Sequence, residues 1–390
     1  MCRNIRNFVE YNNIVPLCLH LVVPELDTNR GFFFWSKSKE LCKMSIFKKI
    51  LIMRKVIRDS RKIVTDTPFW LNLLYLLRGF TKEKIKLYSL NNSNYKLYLS
   101  DFQRRAAASI NGIYSPALDN KLFFESLFED KFSIPKNYFL ILRGKLYSLK
   151  VNNKTASIED VLALLKVKKR FVIKPVTGGK GDGVRIISYC DFDDTIILNN
   201  TVVSSDGFSD LIRNLDNYII CEFIKQSKYA ENLFAGTTNT IRMFFFRNPE
   251  NNKICLFGAT QRMGGENTGG LDNFSSGGAI AEIDLETGIL GYVVRVDNNW
   301  NMSFSDVHPD SQNRVKGIKI PNWNEIIEDI KTKLNEIPYI KYIGLDVVIT
   351  DNWYYVIEGN NFPEPRIIQI FKPLLQDPDA AKFFKRHYIL

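Results

Sequence analysis

The chain has 390 residues, 45% of them hydrophobic and 24% charged, which suits two or more globular subdomains with a sizeable core. No stretch approaches the roughly 20 apolar residues that cross a bilayer. Phe69–Phe80 is short and broken by Asn72 and Arg78, and Ile14–Val23 is interrupted by Pro16 and His20 with no small-residue cleavage pattern after it, which argues against a signal peptide. The formal net charge is +11, and all of it belongs to the first 100 residues, which carry 18 Lys and Arg against 7 Asp and Glu; the other 290 carry 35 of each. A basic groove following nucleic acid through that larger part is therefore not expected.

Residues 1–44 carry no clear pattern. Over 45–64, Ile46, Ile50, Met53, Ile57 and Val64 recur at helical spacing, with lysines and arginines on the rest of the wheel, which predicts a basic amphipathic helix. Such a helix packs on its own protein with a solvated basic face, docks on an anionic membrane surface, or binds nucleic acid. Ser100 and Gln103 form a capping-box pattern, a helix is expected over Leu118–Phe128, and Ser157 with Asp160 opens another. Strands dominate from residue 170 onward, near 171–174, 184–188, 218–223, 240–246, 254–261, 278–284, 291–295, 343–349 and 353–358, with a helix over Trp323–Ile337. Cys2, Cys18, Cys42, Cys190, Cys221 and Cys255 show no C-x-x-C spacing, which favours reduced thiols in a cytosol. With three histidines, a His-rich metal centre is excluded, and His308-Pro309 reads as a loop-shaping pair.

Two segments carry chemistry. Arg170–Pro175 is an apolar strand with Lys174 near its end, followed by Gly178-Gly179-Lys180-Gly181-Asp182-Gly183 and a second strand from Val184. A glycine-rich loop lets backbone N–H groups close over phosphates. No GK[ST] element opens a helix, so it is not a Walker A loop, and a strand follows, so it is not a dinucleotide fingerprint. Read alone, Lys174 is equally a strand-edge charge and the glycines a hairpin turn. Near the end of the chain, Gly344–Thr350 and Tyr354–Asn360 flank Asp351-Asn352 as a hairpin. Asp346 lies on one strand, and Glu358 and Asn360 share a face of the other. Three oxygen ligands across adjacent strands suit Mg2+ bridging to nucleotide phosphates, the alternative being a polar hairpin end.

The order of a helix with Lys121, the Lys174 strand, the glycine-rich loop, Cys221-Glu222-Phe223-Ile224, Asn239-Thr240-Ile241-Arg242, Arg262, Asp272-Asn273…Gly277-Gly278 and Asp346…Glu358-Gly359-Asn360 resembles the ATP-grasp superfamily. Over roughly residues 100–370 it looks closest to the sugar-transfer-associated ATP-grasp proteins. The resemblance implies an α+β fold of two subdomains clasping ATP, here the ATP-grasp domain at 100–390 (N-terminal lobe 100–170, central and C-terminal lobes 171–390) after a basic, mainly helical region at 1–99. It implies that Lys121 and Lys174 hold ATP phosphates and that Gly178, Gly179, Lys180, Gly181 and Gly183 form a flap over them. Glu222, Phe223 and Ile224 would be the hinge against adenine. Asp346, Glu358 and Asn360 would hold two Mg2+ ions, and Arg242 and Arg262 would grip the γ-phosphate, acyl phosphate or substrate carboxylate. One departure is visible: D-alanine–D-alanine ligases carry an arginine two residues before the metal-binding aspartate, where this chain has Gly344, so Arg262 is the favoured transition-state cation.

The activity expected from the resemblance is an ATP-dependent carboxylate–amine ligase of cell-surface polysaccharide assembly or modification. It would be cytoplasmic, with an anionic membrane surface through residues 45–64 as one partner and no nucleic acid. Two alternatives stay open: a kinase phosphorylating a hydroxyl, with Asp272 as its base, and a membrane-docked ATP-binding module without turnover.

Overall fold

A computed structural model describes residues 44–150, 154–179 and 181–390. The expectations placed on residues 1–43 and on Lys180 lie outside the described residues. Among the described residues six α-helices lead: α1 (Ile46–Arg61), α2 (Phe69–Leu77), α3 (Glu83–Leu87), α4 (Asp101–Ala107), α5 (Ser115–Asp119) and α6 (Lys121–Phe128). In α1 the Ser45 hydroxyl accepts from the Lys48 N–H at 3.3 Å, and Arg58 and Arg61 sit in the last turn, where the helix dipole favours cations. The residues it buries are Ile52, Val56 and Ser60, not the Ile46/Ile50/Met53/Ile57 stripe that spacing singles out. The wheel carries two apolar stripes, and the one chosen meets Ala106, Leu76 and Phe102, with Ser60 small enough for a close approach.

The Ser100–Gln103 capping box forms in both directions, at 3.2 and 2.9 Å. The helix expected over Leu118–Phe128 is instead two, broken at Asn120. Its backbone is extended there, and its side-chain oxygen accepts from the N–H groups of Leu122 and Phe123 at 3.0 and 3.2 Å, capping α6. The break makes Lys121 the first residue of α6, and its N–H donates to the Val176 carbonyl at 3.0 Å.

Two antiparallel sheets follow. The first holds β1 (Asn137–Leu142), β2 (Lys145–Ser148), β3 (Thr155–Ala156), β4 (Arg170–Pro175), β5 (Arg185–Cys190), β6 (Thr195–Leu198), β7 (Thr201–Val203) and β8 (Tyr218–Glu222), in the spatial order β3-β2-β1-β8-β4-β5-β6-β7. Helices α7 (Ile158–Lys168), capped by Ser157 and Asp160 as its sequence predicts, and α8 (Ser205–Arg213) cover it. Their Val161, Leu165, Phe208 and Ile212 pack with Phe171, Ile173 and Ile187. A lobe boundary at residue 170 therefore falls inside a sheet. The change of sheet comes after β8, where α9 (Lys228–Leu233) intervenes. Strands β1–β3 escape the sequence reading because Tyr138–Leu142 is an unbroken apolar run, which periodicity alone does not assign to a strand.

The second sheet holds β9 (Ile241–Arg247), β10 (Ile254–Met263), β11 (Ala279–Ile283), β12 (Leu290–Val296), β13 (Met302–Ser305), β14 (Tyr342–Ile349) and β15 (Tyr354–Asn360), ordered β13-β12-β11-β10-β9-β14-β15. Helix α10 (Trp323–Asn335) buries Trp323, Ile326, Ile330 and Leu334 on one face. After α11 (Arg366–Gln369), Phe383 and Phe384 of α12 (Pro378–Arg386) pack on Phe244, Phe246 and Tyr342 on the other. Strand β14 lies between β9 and β15, and every one of its residues is buried. That placement takes Asp346 out of water.

Helix α6 docks on β15 through Phe124, whose ring occupies the space a Cβ at Gly359 would need. Gly359→Ala should therefore destabilise the protein by about 1–3 kcal/mol, the usual cost of overpacking. Chemical denaturation measures this, and an unchanged midpoint would show that α6 is not seated on β15 in this way.

Candidate active site

Register fixes the site. Arg242 of β9 pairs with Asp346 of β14, and Asp346 pairs with Glu358 of β15. Residues directly opposite in neighbouring strands point to the same face, so these three form one charged row. Arg262 joins it from β10, two residues beyond Thr260, the partner of Arg242. Beyond Glu358 the β15 register slips, leaving Ile357 unpaired, and the bulge lets Ile357 and Glu358 both line the cleft.

Asp346 is 3% exposed, and its carboxylate is gripped by both arginines. Arg242 donates through Nε and, at 2.9 Å, through Nη2; Arg262 Nη1 donates at 2.9 Å. Burial works against the Asp346 charge, but Arg242 and Arg262 override it and hold its pKa to about 2. Burial acts the same way on Glu358, and the facing Asp346 charge adds to it, so the Glu358 carboxyl lies above its usual range while Lys121 pulls the other way. Arg262 also donates to Asp272 Oδ1 at 2.6 Å. Burial opposes its charge too, yet Asp272, Asp346 and Glu358 keep the guanidinium firmly protonated. Asp272 has its second oxygen filled by the Thr240 N–H at 3.0 Å and by the Thr240 hydroxyl.

The opposite wall comes from the first sheet and from the start of α6. Lys174 lies on β4, and Lys121 at the start of α6 places its Nζ 3.5 Å from Glu358 Oε2 and 3.4 Å from the Gly178 carbonyl. Burial lowers the Lys121 pKa, and Lys174 adds to the effect against the opposing pull of Glu358. The two ammonium groups thus share one pocket. The loop after β4 takes left-handed backbone at Gly178 (φ 128°) and Gly181 (φ 75°). At Gly181 a Cβ would stand 2.5 Å from Leu271, so the loop meets the second sheet's 264–278 segment across the cleft. The cleft is lined by Lys121, Lys174, Gly178, Gly179 and Gly181, by Glu222, Phe223 and Ile224, and by Arg262, Asp346 and Glu358. Glu222 ends β8; its N–H donates to the Lys136 carbonyl at 2.9 Å, its carboxylate accepts from the Lys136 N–H at 3.3 Å, and Phe223 and Ile224 continue beyond the strand.

Three of the expected residues are placed differently. Gly183 does not line the cleft; its positive φ and the adjacent Tyr218 hydroxyl mark it as a turn glycine. Arg242 points at Asp346 and not into the cleft. Asn360 pairs with Gly344 on the Glu358 face, also outside the cleft lining, and its amide nitrogen is buried without a partner. At Gly344 a Cβ would lie 2.6 Å from Pro363, so the site has no room for an arginine there.

The apolar residues that wall the site carry no sequence signal of it, whereas Asn239 belongs to the Asn239–Arg242 motif and His308 to the His308-Pro309 pair. The apolar cleft walls Val172, Ile186, Leu271 and Ile357 look like any strand or loop residue. Asn239 donates to the Ala230 and Phe234 carbonyls at 2.9 and 2.7 Å and accepts from the Gly264 N–H at 3.2 Å, tying α9 to the 264–278 segment. His308 is fully buried; Nδ1 accepts from the N–H groups of Asp310 and Ser311, so Nε2 carries the proton and donates to the Gly264 carbonyl at 2.9 Å. It shapes a loop, as its sequence suggests.

Hard oxygen donors suit Mg2+, and this row supplies them. Glu358 and Asn360 share a strand face, and Asp346, which accepts three arginine bonds, faces Glu358 across the strand pair. The Glu358 pKa is raised first by burial and then by repulsion from Asp346, which a bound cation would relieve. Among the described residues no group of three or more His, Cys, Asp and Glu side chains converges as a metal cluster.

Two antiparallel sheets, a glycine-rich loop and a cleft between them with lysines on one wall and a carboxylate–arginine row on the other define an α+β nucleotide-clasping architecture. Residues 104–376 match the family model described as sugar-transfer associated ATP-grasp, and the chain belongs to that family. Its fold is the ATP-grasp fold, preceded by the helical region described above. Among solved structures it is similar to D-alanyl-alanine synthetase A from Vibrio cholerae (11% identity over 71% of this chain and 67% of that one, TM-score 0.42). It is also similar to D-alanine–D-alanine ligase from Bacillus anthracis (14%, 70% and 68%, TM-score 0.38) and to a RimK domain protein ATP-grasp from Sphaerobacter thermophilus (10%, 71% and 69%, TM-score 0.36). A comparison with curated protein sequences finds no match.

The two carboxylates should respond differently to neutralisation. Asp346→Asn leaves the Arg242 guanidinium without its carboxylate and Arg262 with Asp272 alone, and should cost about 3–5 kcal/mol. The folded pKa of Asp346 lies below its unfolded value, so its stabilisation is complete above the ordinary carboxylate range and is lost as pH falls toward 2; the variant should lack that part of the acid transition. Glu358→Gln removes a charge that burial already disfavours, and should leave the fold intact. Urea titrations across pH separate the two, and equal stability of both variants would contradict the assigned pairing.

Proposed function

We propose that this chain is an ATP-dependent carboxylate–amine ligase working through an acyl phosphate. The observation that carries this reading is the pairing of walls across one cleft: Lys121, Lys174 and the glycine-rich loop on one side, and Arg262 with the Asp346–Glu358 pair on the other. In this reading the two lysines hold the β- and γ-phosphates as compact positive charges, and backbone N–H groups of the 178–183 loop close over them. Glu222, Phe223 and Ile224 receive the base, in part through backbone groups.

A substrate carboxylate oxygen attacks the γ-phosphorus and ADP leaves. The amine then attacks the acyl carbon and inorganic phosphate leaves. Arg262, the arginine of the row that lines the cleft, offers its guanidinium to the charge that develops on the transferred group. Arg242 acts through Asp346 by keeping that carboxylate ionised and in place. Asp346, Glu358 and Asn360 would hold Mg2+, which neutralises phosphate charge when bound. No protein nucleophile is needed, and the chain's work is positioning and electrostatic stabilisation.

A kinase on this scaffold would need a general base beside its hydroxyl. Asp272 was its candidate, and both of its oxygens are committed to Thr240 and Arg262. That commitment favours the ligase. The family description supports a substrate linked to sugar transfer, and we take the carboxylate and amine to belong to cell-surface polysaccharide assembly or modification. ATP as phosphoryl donor makes the cytoplasm the compartment; among the described residues no helix is long and apolar enough to cross a membrane.

The test is a screen of amino acids and uronic acids for stimulated release of ADP together with inorganic phosphate. A phosphorylated product without phosphate release would replace the ligase by a kinase. Lys174→Ala should weaken ATP binding at least tenfold by calorimetry, about 1.4 kcal/mol. Glu358→Gln should lower turnover on the order of a hundredfold or more at saturating Mg2+. Wild-type affinity in the first variant, or wild-type turnover in the second, would remove these residues from the site.

A further inference from the structure

The helices before the ATP-grasp fold carry surface that the site does not use. Helix α1 packs inward through Ile52, Val56 and Ser60, and α2 through Tyr75 with Leu71 and Leu74 beside it. The opposite faces are apolar as well. On α2, Phe69 is 78% exposed, Trp70 66%, Leu73 40% and Leu77 60%, and at 3.6 residues per turn they fall within an arc of about 100°. On α1, Ile46, Phe47, Ile50 and Leu51 are exposed too. The two helices meet through Leu76, Ile52 and Val56, so both outward faces belong to one region of the surface.

The charge on that surface has one sign. Between Lys48 and Lys62 there are seven lysines and arginines, all exposed, against Asp59 alone, which is already paired with Arg58 and Arg105. We propose that this face docks on an anionic lipid bilayer. The Phe69–Trp70 end of α2 enters the boundary between headgroups and acyl chains, where Trp is favoured, and the basic residues of α1 lie over lipid phosphates. Charge complementarity selects this occupant. A second copy of the chain would bring the same cationic face against itself, because a two-fold contact is self-complementary. Nucleic acid would match the charge but leave the Phe69, Trp70, Leu73 and Leu77 face uncovered. An apolar face and a polybasic flank together supply the two signals that stable peripheral anchoring requires.

The full chain, mixed with vesicles of phosphatidylglycerol in phosphatidylcholine, should co-sediment at low salt, release as ionic strength rises, and ignore phosphatidylcholine alone. Phe69→Ser with Trp70→Ser should reduce partitioning at least tenfold, and Lys48→Glu with Lys49→Glu and Lys55→Glu should do the same. These side chains are exposed, so circular dichroism and the thermal midpoint should stay at wild-type values. Phospholipids brominated in the acyl chain should quench tryptophan emission of the wild type, and Trp70→Phe, which needs no change in fold, should abolish that quenching. Partitioning that survives the double serine variant, or quenching that survives Trp70→Phe, would overturn the proposal. So would sedimentation equilibrium showing a dimer of the full chain that the serine variant dissociates, because the face would then be a contact between copies.

Discussion

The buried carboxylate of Asp346 is the interaction around which the second sheet is organised. It sits on an interior strand whose neighbours on both sides are hydrogen-bonded, so its charge cannot be relieved by moving toward water. Two arginines from β9 and β10 answer it, and each is held by its own strand register. The group therefore behaves as a fixed dipolar row. Its position depends on the pairing of three strands and not on the rotamers of flexible surface residues.

That row sets the electrostatics of everything nearby. Burial raises the Glu358 pKa, and the Asp346 charge facing it across one strand pair adds to that rise. Arg262 divides its guanidinium between Asp346 and Asp272, and Asp272 is in turn held by Thr240, so the 264–278 segment is anchored to the same network. Lys121 reaches it from the start of α6, which is seated on β15, because Asn120 breaks a helix one residue earlier, and its N–H binds the Val176 carbonyl beyond β4. The two walls of the cleft are thus tied together by charge at the point where they approach.

Much of this was legible in the sequence. The β14–β15 hairpin, the Lys174 strand and the capping boxes at Ser100 and Ser157 all rest on local rules, such as alternation, turn residues and N-cap chemistry, that the tertiary fold left in force. What escaped has physical causes. Tyr138–Leu142 is apolar without period, so β1 and the rest of its hairpin had no signature. The buried stripe of α1 was chosen by what α4 and α2 offer, which no single-helix pattern contains. Asn360 and Glu358 share a face as expected and Asn360 lies outside the cleft lining, while a bulge at Ile357 brings that residue into the lining beside Glu358, and bulges leave no mark in composition. Arg242 was read from a motif as a substrate contact; only strand register shows that its guanidinium is spent on Asp346.

Gly344 has a further consequence, best put in terms of mutational paths. The place two residues before Asp346 is closed by Pro363, and the strand partner of Gly344 is Asn360. Introducing a side chain there meets a ring in the segment that follows β15, so the substitution is accessible only after residue 363 has changed. The order matters: shrinking residue 363 first opens a small gap beside a buried row, whereas enlarging residue 344 first produces a clash. Positions 344 and 363 are therefore epistatic, and a lineage or a designer placing an arginine on β14 at residue 344 must pass through the looser intermediate.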